Sequence, residues 1–122
     1  MIVLTMMLAL ARAETHLAIE PWTGSDYQVT AAAAAKYRLK VTGKPNASIR
    51  LQANRVAHGW LAAFCTPKLC SPERVNLELS SSGEATLQFE LIRESQTAPK
   101  ESSATITTNN GVSIAVPMAY RQ

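Results

Sequence analysis

The sequence has few of the residues on which enzyme active sites usually depend. It contains two histidines, His16 and His58, and a single aspartate, Asp26, among 122 residues. No spacing brings a histidine, Asp26 and a serine together, so a Ser-His-Asp triad is not supported. The phosphate-binding loop, the dinucleotide-binding glycine pattern and the His-Glu-x-x-His zinc motif are also absent. We therefore expect a protein that is not an enzyme and that needs no cofactor.

Charged residues are also sparse, and they are not clustered by sign. They make up 17% of the chain, the formal net charge is +3, and the basic residues mostly occur singly. In the densest basic stretch, Lys36, Arg38 and Lys40 alternate with apolar residues and would share one face of a strand. A nucleic-acid interface needs a basic patch with stacking aromatic residues. The pattern instead predicts a solvated face opposite a core face, and no nucleic-acid partner.

The longest apolar run lies at the start of the chain. Residues 1–11 are apolar apart from Thr5, and Ala11-Arg12-Ala13 follows as a small-residue cleavage site. The run is too short to cross a bilayer as a helix, and with this site it is typical of a secretory signal peptide. The alternative is a buried N-terminal helix. We expect residues 1–13 to be a signal peptide and residues 14–122 to be one secreted or periplasmic domain, with no stable membrane span after cleavage.

Two cysteines fit an oxidising compartment. Cys65 and Cys70 are the only ones, and four residues separate them. A close pair of this kind usually forms a disulfide outside the cytoplasm. Structural zinc would need two further ligands, and a thioredoxin-type pair has two intervening residues within a βαβ fold. We predict a local structural disulfide, and a metal pair or a redox dithiol remains as an alternative.

Apolar and polar residues alternate with period two along most of the chain after residue 26, which is typical of half-buried strands. Turn residues separate the alternating stretches, most clearly at Asn109-Asn110-Gly111, because Asn-Gly favours a tight hairpin. The pattern predicts an all-β antiparallel sandwich of about seven to eight strands. The alternating stretches are 36–42, 48–53, 60–64, 74–80, 84–91, 104–107 and 112–118.

The phase of this alternation predicts the core. We expect Trp60 and Phe64 to point inward and to contact the other core side chains. Glu84 and Glu90 take the opposite phase, so they are expected on solvent faces. The predicted core residues are Tyr37, Leu39, Trp60, Phe64, Leu87 and Phe89.

Several positions follow one another in a characteristic order: Tyr37-x-Leu39-x-Val41, Gly59-Trp60, Phe64, Val75-x-Leu77, Gly83 and the strand 84–89. This order resembles an immunoglobulin-like module that is common in secreted bacterial proteins. The resemblance covers residues 34–116 and implies an immunoglobulin-like sandwich. Such modules usually lie beside catalytic or adhesive domains and have no activity of their own. Two stretches, Ala31–Ala35 and Lys100–Ser102, replace the glycine-containing segments usual in the family.

The sequence thus predicts a non-catalytic interaction or structural module outside the cytoplasm, with an unknown protein or envelope component as its partner. A second hypothesis is a pilus-type chaperone or subunit that acts by strand addition, with the stretch 112–118 as its edge, because Pro117 suits edge strands. A third is a periplasmic metal-binding or redox protein. The candidate ligands for that protein are His16, His58, Cys65, Cys70 and Met118.

A copper site is also possible at the mature N-terminus. Cleavage after Ala13 would leave Glu14-Thr15-His16 at the start of the chain. The free α-amino group, two backbone amides and the His16 imidazole can surround one Cu(II) or Ni(II) ion in a plane. The alternative is that His16 is the third residue of a frayed terminus.

Overall fold

The structure, a computed structural model, describes residues 14–21 and 34–120, with residues 117–120 described by their backbone alone. Within these residues there are strands and no helix. The nine strands are β1 (His16–Pro21), β2 (Ala34–Thr42), β3 (Ser48–Asn54), β4 (Trp60–Cys65), β5 (Cys70–Pro72), β6 (Arg74–Glu78), β7 (Glu84–Arg93), β8 (Glu101–Thr108) and β9 (Ser113–Tyr120).

The strands form two antiparallel sheets packed as a sandwich. The five-stranded sheet has the order β1-β2-β7-β4-β5, and the four-stranded sheet has the order β6-β3-β8-β9. If β5 and β6 are left out and the other strands are lettered along the chain, the sheets read A-B-E-D and C-F-G. This is the arrangement of an immunoglobulin constant-type sandwich. The predicted fold class is therefore confirmed.

β5 and β6 follow each other directly in the sequence but belong to different sheets. The chain crosses between the sheets at Glu73, whose φ is 65°. The Glu73 N–H donates to the Ala62 carbonyl of β4 (2.9 Å), while the Glu73 carbonyl accepts from the Ala53 N–H of β3 (2.8 Å). Glu73 is thus hydrogen-bonded to both sheets, and it divides the stretch 70–78 into two strands.

β1 was not expected from the sequence, which suggested a frayed start around His16. It pairs with β2 from His16 opposite Thr42 to Pro21 opposite Tyr37. Its inward side chains, Leu17 and Ile19, pack against the core. β1 and the crossing at Glu73 together raise the strand number to nine, compared with the seven to eight predicted.

The core lies between the two sheets and is centred on β7. Phe89 packs beside Phe64 on β4 and Tyr37 on β2, with ring centroids 5.0 and 6.1 Å away. Burial raises the pKa of the Tyr37 phenol, so this side chain stays neutral at physiological pH. The side chains that the sequence assigned to the core all belong to one buried cluster: Tyr37, Leu39, Trp60, Phe64, Leu87 and Phe89.

Trp60 also fixes the loop between β7 and β8. Its Nε1–H donates to the Pro99 carbonyl (2.7 Å), and the Arg93 guanidinium donates to the Ala98 carbonyl (2.7 Å). Gly59 has a φ of 86°, and a Cβ at this position would lie 2.5 Å from the Ala98 side chain. The tight approach of the loop to the start of β4 therefore requires glycine at position 59.

We predict that Trp60→Ala lowers the free energy of unfolding by about 3–5 kcal/mol, because it removes a buried aromatic side chain. Trp60→Phe keeps most of the packing and should cost about 1 kcal/mol for the lost hydrogen bond together with the reduced volume. Urea unfolding measures both values. Thr86→Ala, at an exposed position of the same sheet, is the matched control and should change little. An unchanged urea midpoint for Trp60→Ala would show that this side chain is not part of the core.

Candidate functional site

The most distinctive surface feature is a disulfide-closed hairpin, residues 65–70, which joins β4 to β5. Cys65 and Cys70 lie directly opposite each other in the pairing of these strands, and their sulfur atoms are 2.10 Å apart. The predicted disulfide is therefore present. Thr66 and Leu69 exchange backbone hydrogen bonds of 2.8 and 3.3 Å, which leaves Pro67-Lys68 as a two-residue turn.

This hairpin exposes an apolar side chain. Leu69 is 66% exposed, and among the side chains described in residues 14–21 and 34–116 it is the one large apolar side chain that stands out into solvent. Lys68 next to it is exposed as well, whereas Cys65 at the base is buried in β4. The disulfide and the two backbone hydrogen bonds fix the conformation of the loop, so little conformational entropy remains for it to lose in any contact.

Removing the disulfide should loosen the hairpin without unfolding the sandwich. The loop closed by Cys65 and Cys70 is short, so chain entropy predicts that the double variant Cys65→Ala/Cys70→Ala loses about 2 kcal/mol. Urea unfolding with and without reductant measures this loss, and the variant itself should be insensitive to reductant. Mass spectrometry of the oxidised wild-type protein should show a mass lower than that of the reduced form by two hydrogen atoms. Two alkylatable thiols in the oxidised protein would contradict the structure.

The two sheets formed by the described residues have four edge strands, and three of these strands contain proline. β1 includes Pro21, β5 includes Pro72, and β9 includes Pro117. In β9 the register shifts between Ser102 and Ala104 of β8, so the strand is bulged at Pro117. β9 does lie at a sheet edge, where strand addition was expected. However, a proline lacks the N–H that an added strand needs, and a bulge interrupts the ladder, so β9 is a poor template for pairing.

The outer face of the five-stranded sheet is solvated at its margin. The Lys40 ammonium lies 3.6 Å from the Glu84 carboxylate, and the Arg38 guanidinium lies 3.5 Å from that of Glu20. All four side chains are 42–64% exposed. Exposed pairs of this kind contribute little to stability. They agree with the solvated face predicted for Lys36, Arg38 and Lys40.

The centre of the same face is buried, which corrects the expectation that Glu90 lies in solvent. Glu90 is 2% exposed and Gln88 is 1% exposed, although both point away from the core. Gln88 Nε2 donates a hydrogen bond to Glu90 Oε1. Gln88 Oε1 has no hydrogen-bond partner within the described residues. Alternation along β7 predicted correctly that Glu90 lies on the outer face of the sheet. It could not show that the middle of this face is shielded from solvent.

The Gln88–Glu90 pair should be strongly coupled energetically. Gln88→Leu removes the donor and leaves the Glu90 carboxylate buried, which should lower the free energy of unfolding by about 1–3 kcal/mol. The double variant Gln88→Leu/Glu90→Leu replaces both partners and should recover most of that loss. Glu84→Leu, at an exposed position of the same strand, is the matched control. Urea unfolding measures the cycle, and strictly additive losses would contradict a direct interaction.

The N-terminal residues proposed for copper are held by the domain. His16 is exposed at the first position of β1, but Thr15 is buried, and its Oγ1 accepts a hydrogen bond from Asn110 Nδ2 (2.6 Å). A planar copper site would use the backbone nitrogens of both Thr15 and His16. Copper binding would therefore compete with the anchoring of Thr15. The site remains a prediction that depends on cleavage after Ala13, which lies outside the described residues.

The structure does not gather His58 and the two cysteines around one point, and the side chain of Met118, another candidate ligand, lies outside the described ones. His58 is exposed in the loop before Gly59, and Cys65 and Cys70 are bonded to each other. In residues 14–21 and 34–120, no group of three or more His, Cys, Asp or Glu side chains is placed to hold a metal ion. The predicted signal peptide and Asp26 lie outside these residues. The described part of the chain contains no helix long and apolar enough to cross a membrane.

Comparison with known proteins shows similarity of fold alone. No protein family and no curated protein sequence matches the chain. A FixG-related protein from Vibrio parahaemolyticus, known from a crystal structure, has a similar fold with a TM-score of 0.55. The similarity covers 88% of this chain and 96% of that protein, at 9% sequence identity. It supports a sandwich that extends over most of the chain.

Leu69 was not singled out by the sequence analysis. The available signal was its position: a leucine beside a lysine, inside a four-residue loop closed by two cysteines. A loop this short has no interior in which an apolar side chain could be buried. Disulfide prediction together with loop length was therefore sufficient to mark Leu69 as exposed.

Proposed function

We propose that this chain is a non-catalytic interaction module that works outside the cytoplasm, and that the hairpin 65–70 is its contact site for a partner protein. The observation behind the proposal is the exposed Leu69 on a loop that a disulfide holds in place. An aliphatic side chain on an ordered loop can serve as the anchor that a pocket of a partner buries. The resemblance to the immunoglobulin-like modules of secreted bacterial proteins supports the same role.

The secreted or periplasmic location rests on two features of the chain. A structural disulfide persists mainly in oxidising compartments, and Cys65–Cys70 is such a bond. The apolar run 1–11 followed by Ala11-Arg12-Ala13 has the form of a secretory signal peptide. We infer that export precedes formation of the hairpin, because the disulfide that closes it would not form in a reducing cytoplasm.

The chemistry of the hairpin specifies the kind of partner. Leu69 fits an apolar pocket, and Lys68 beside it favours acidic side chains around that pocket. Pro67 in the turn limits the conformations of the loop and so favours a binding surface of fixed shape. We therefore infer that the partner is an envelope or secreted protein with an apolar pocket and an acidic rim.

The test uses the exported full chain, carrying an affinity tag, as bait in extracts of its native envelope. Wild type should recover a defined partner, while Leu69→Ser and Lys68→Glu should each recover at least about tenfold less, since each removes part of the anchor. Lys44→Ser changes an exposed residue in the turn between β2 and β3 and should bind like wild type. All three substitutions are at exposed positions, so their urea midpoints should match that of wild type.

Equal recovery by wild type and Leu69→Ser would show that the hairpin is not the contact site. An exported wild-type chain that recovers no partner, even after chemical cross-linking, would also contradict the proposal.

A further inference from the structure

β6 is the edge strand that is least protected against pairing. Among the four edge strands of the described sheets it alone contains no proline. It has one neighbour in its sheet, β3, paired from Ser48 opposite Glu78 to Gln52 opposite Arg74. Its sequence is Arg74-Val75-Asn76-Leu77-Glu78. An edge of this kind can accept a further strand through main-chain hydrogen bonds.

The hydrogen bonds at both ends of β6 show which backbone groups remain available. The Leu79 N–H donates to the Ala47 carbonyl, and the Glu73 carbonyl accepts from the Ala53 N–H, each at 2.8 Å. The odd-numbered residues therefore direct their backbone groups toward β3. Because these directions alternate along an antiparallel strand, the N–H and C=O groups of Arg74, Asn76 and Glu78 point away from β3.

The side chains of β6 are arranged symmetrically about Asn76. Apolar residues of similar size lie next to it, and residues of opposite charge lie at the two ends of the strand. Val75 and Leu77, the residues on either side of Asn76 in the sequence, lie on the inner face, and both are half-buried. Arg74 and Glu78 lie at the ends on the outer face, and both are exposed. Within the part of the chain that the structure describes, neither of these two charges forms an ion pair with another residue.

We propose that β6 pairs antiparallel with β6 of a second copy of the chain, about a two-fold axis at Asn76. Arg74 then lies opposite Glu78 of the second copy, and Glu78 lies opposite Arg74. Val75 faces Leu77 of the second copy on the inner side. The residues whose backbone groups are available, Arg74, Asn76 and Glu78, are those that exchange hydrogen bonds in this register. The two four-stranded sheets become one continuous sheet.

Charge complementarity favours a second copy over other extended segments. In the antiparallel register both charged pairs have opposite signs, and such cross-strand pairs stabilise a sheet. A shift of one residue would place the inward apolar side chains of the second copy on the outer face. The interface is isologous, so it closes at two copies and does not continue into a filament. The inference is independent of the hairpin 65–70 and extends the proposed function to an oligomeric state.

Charge reversal tests the pairing in the full chain. Sedimentation analysis should show a monomer–dimer equilibrium for wild type. Arg74→Glu and Glu78→Arg each place like charges opposite each other at two symmetric points, so each should raise the dimer dissociation constant at least about tenfold. The double variant Arg74→Glu/Glu78→Arg restores opposite charges and should return close to wild type. Wild type that stays monomeric up to its solubility limit, or a double variant as weak as the single variants, overturns the proposal.

Cross-linking tests the register independently. In the proposed dimer the two copies of residue 76 are about 5.5 Å apart between Cα atoms, which is within the range for a disulfide. Asn76→Cys should therefore form a covalent dimer on mild oxidation. The two copies of residue 78 lie about 14 Å apart, so the matched control Glu78→Cys should remain monomeric under the same conditions. Equal cross-linking of both variants, or of neither, overturns the register.

Discussion

The packing of Phe89 between Phe64 and Tyr37 is the contact on which the rest of the structure depends. Phe89 lies on β7, the central strand of the five-stranded sheet, and its two partners lie on the flanking strands β4 and β2. The contact ties together segments that are far apart in the sequence. β7 also pairs with both of these flanking strands, so it joins the two halves of the order β1-β2-β7-β4-β5.

A core organised in this way leaves the edges of the sandwich as the places where the chain can act on other molecules. The crossing at Glu73 produces two different edges within nine residues. On one side of it, the hairpin 65–70 continues into β5 and displays Leu69. On the other side, β6 has outward backbone groups and complementary charges. One local change of direction thus separates the proposed contact for a partner protein from the proposed contact for a second copy.

Alternation in the sequence was sufficient to predict the fold class, the inward residues of β2, β4 and β7, and the hairpin turn at Asn109-Asn110-Gly111. These features depend on local periodicity and turn chemistry. The crossing at Glu73 was not predicted, because the alternating stretch begins only at position 74 and the three residues of β5 are too few to show a period of their own. β1 was missed because its six residues offer only two apolar side chains of the right phase, Leu17 and Ile19.

The covered face around Gln88 and Glu90 was beyond sequence analysis for a different reason. Periodicity assigns a residue to one of two faces of a sheet, but whether that face meets solvent depends on what packs over it. The exposure of Leu69, in contrast, could be predicted from the sequence, because its loop is too short to bury an apolar side chain. The disulfide of that loop was predictable from the spacing of Cys65 and Cys70 together with the expected export of the chain.

Residue-resolved amide hydrogen exchange tests most directly whether the domain is organised around β7. If it is, the amides of Leu87–Leu91 should exchange only through global unfolding, with an opening free energy equal to that from urea unfolding. The amides of Lys68 and Cys70 in the hairpin should exchange by local opening and respond little to low urea concentrations. Amides of β7 that exchange as fast as those of the hairpin would contradict a fold built on the packing of Phe89.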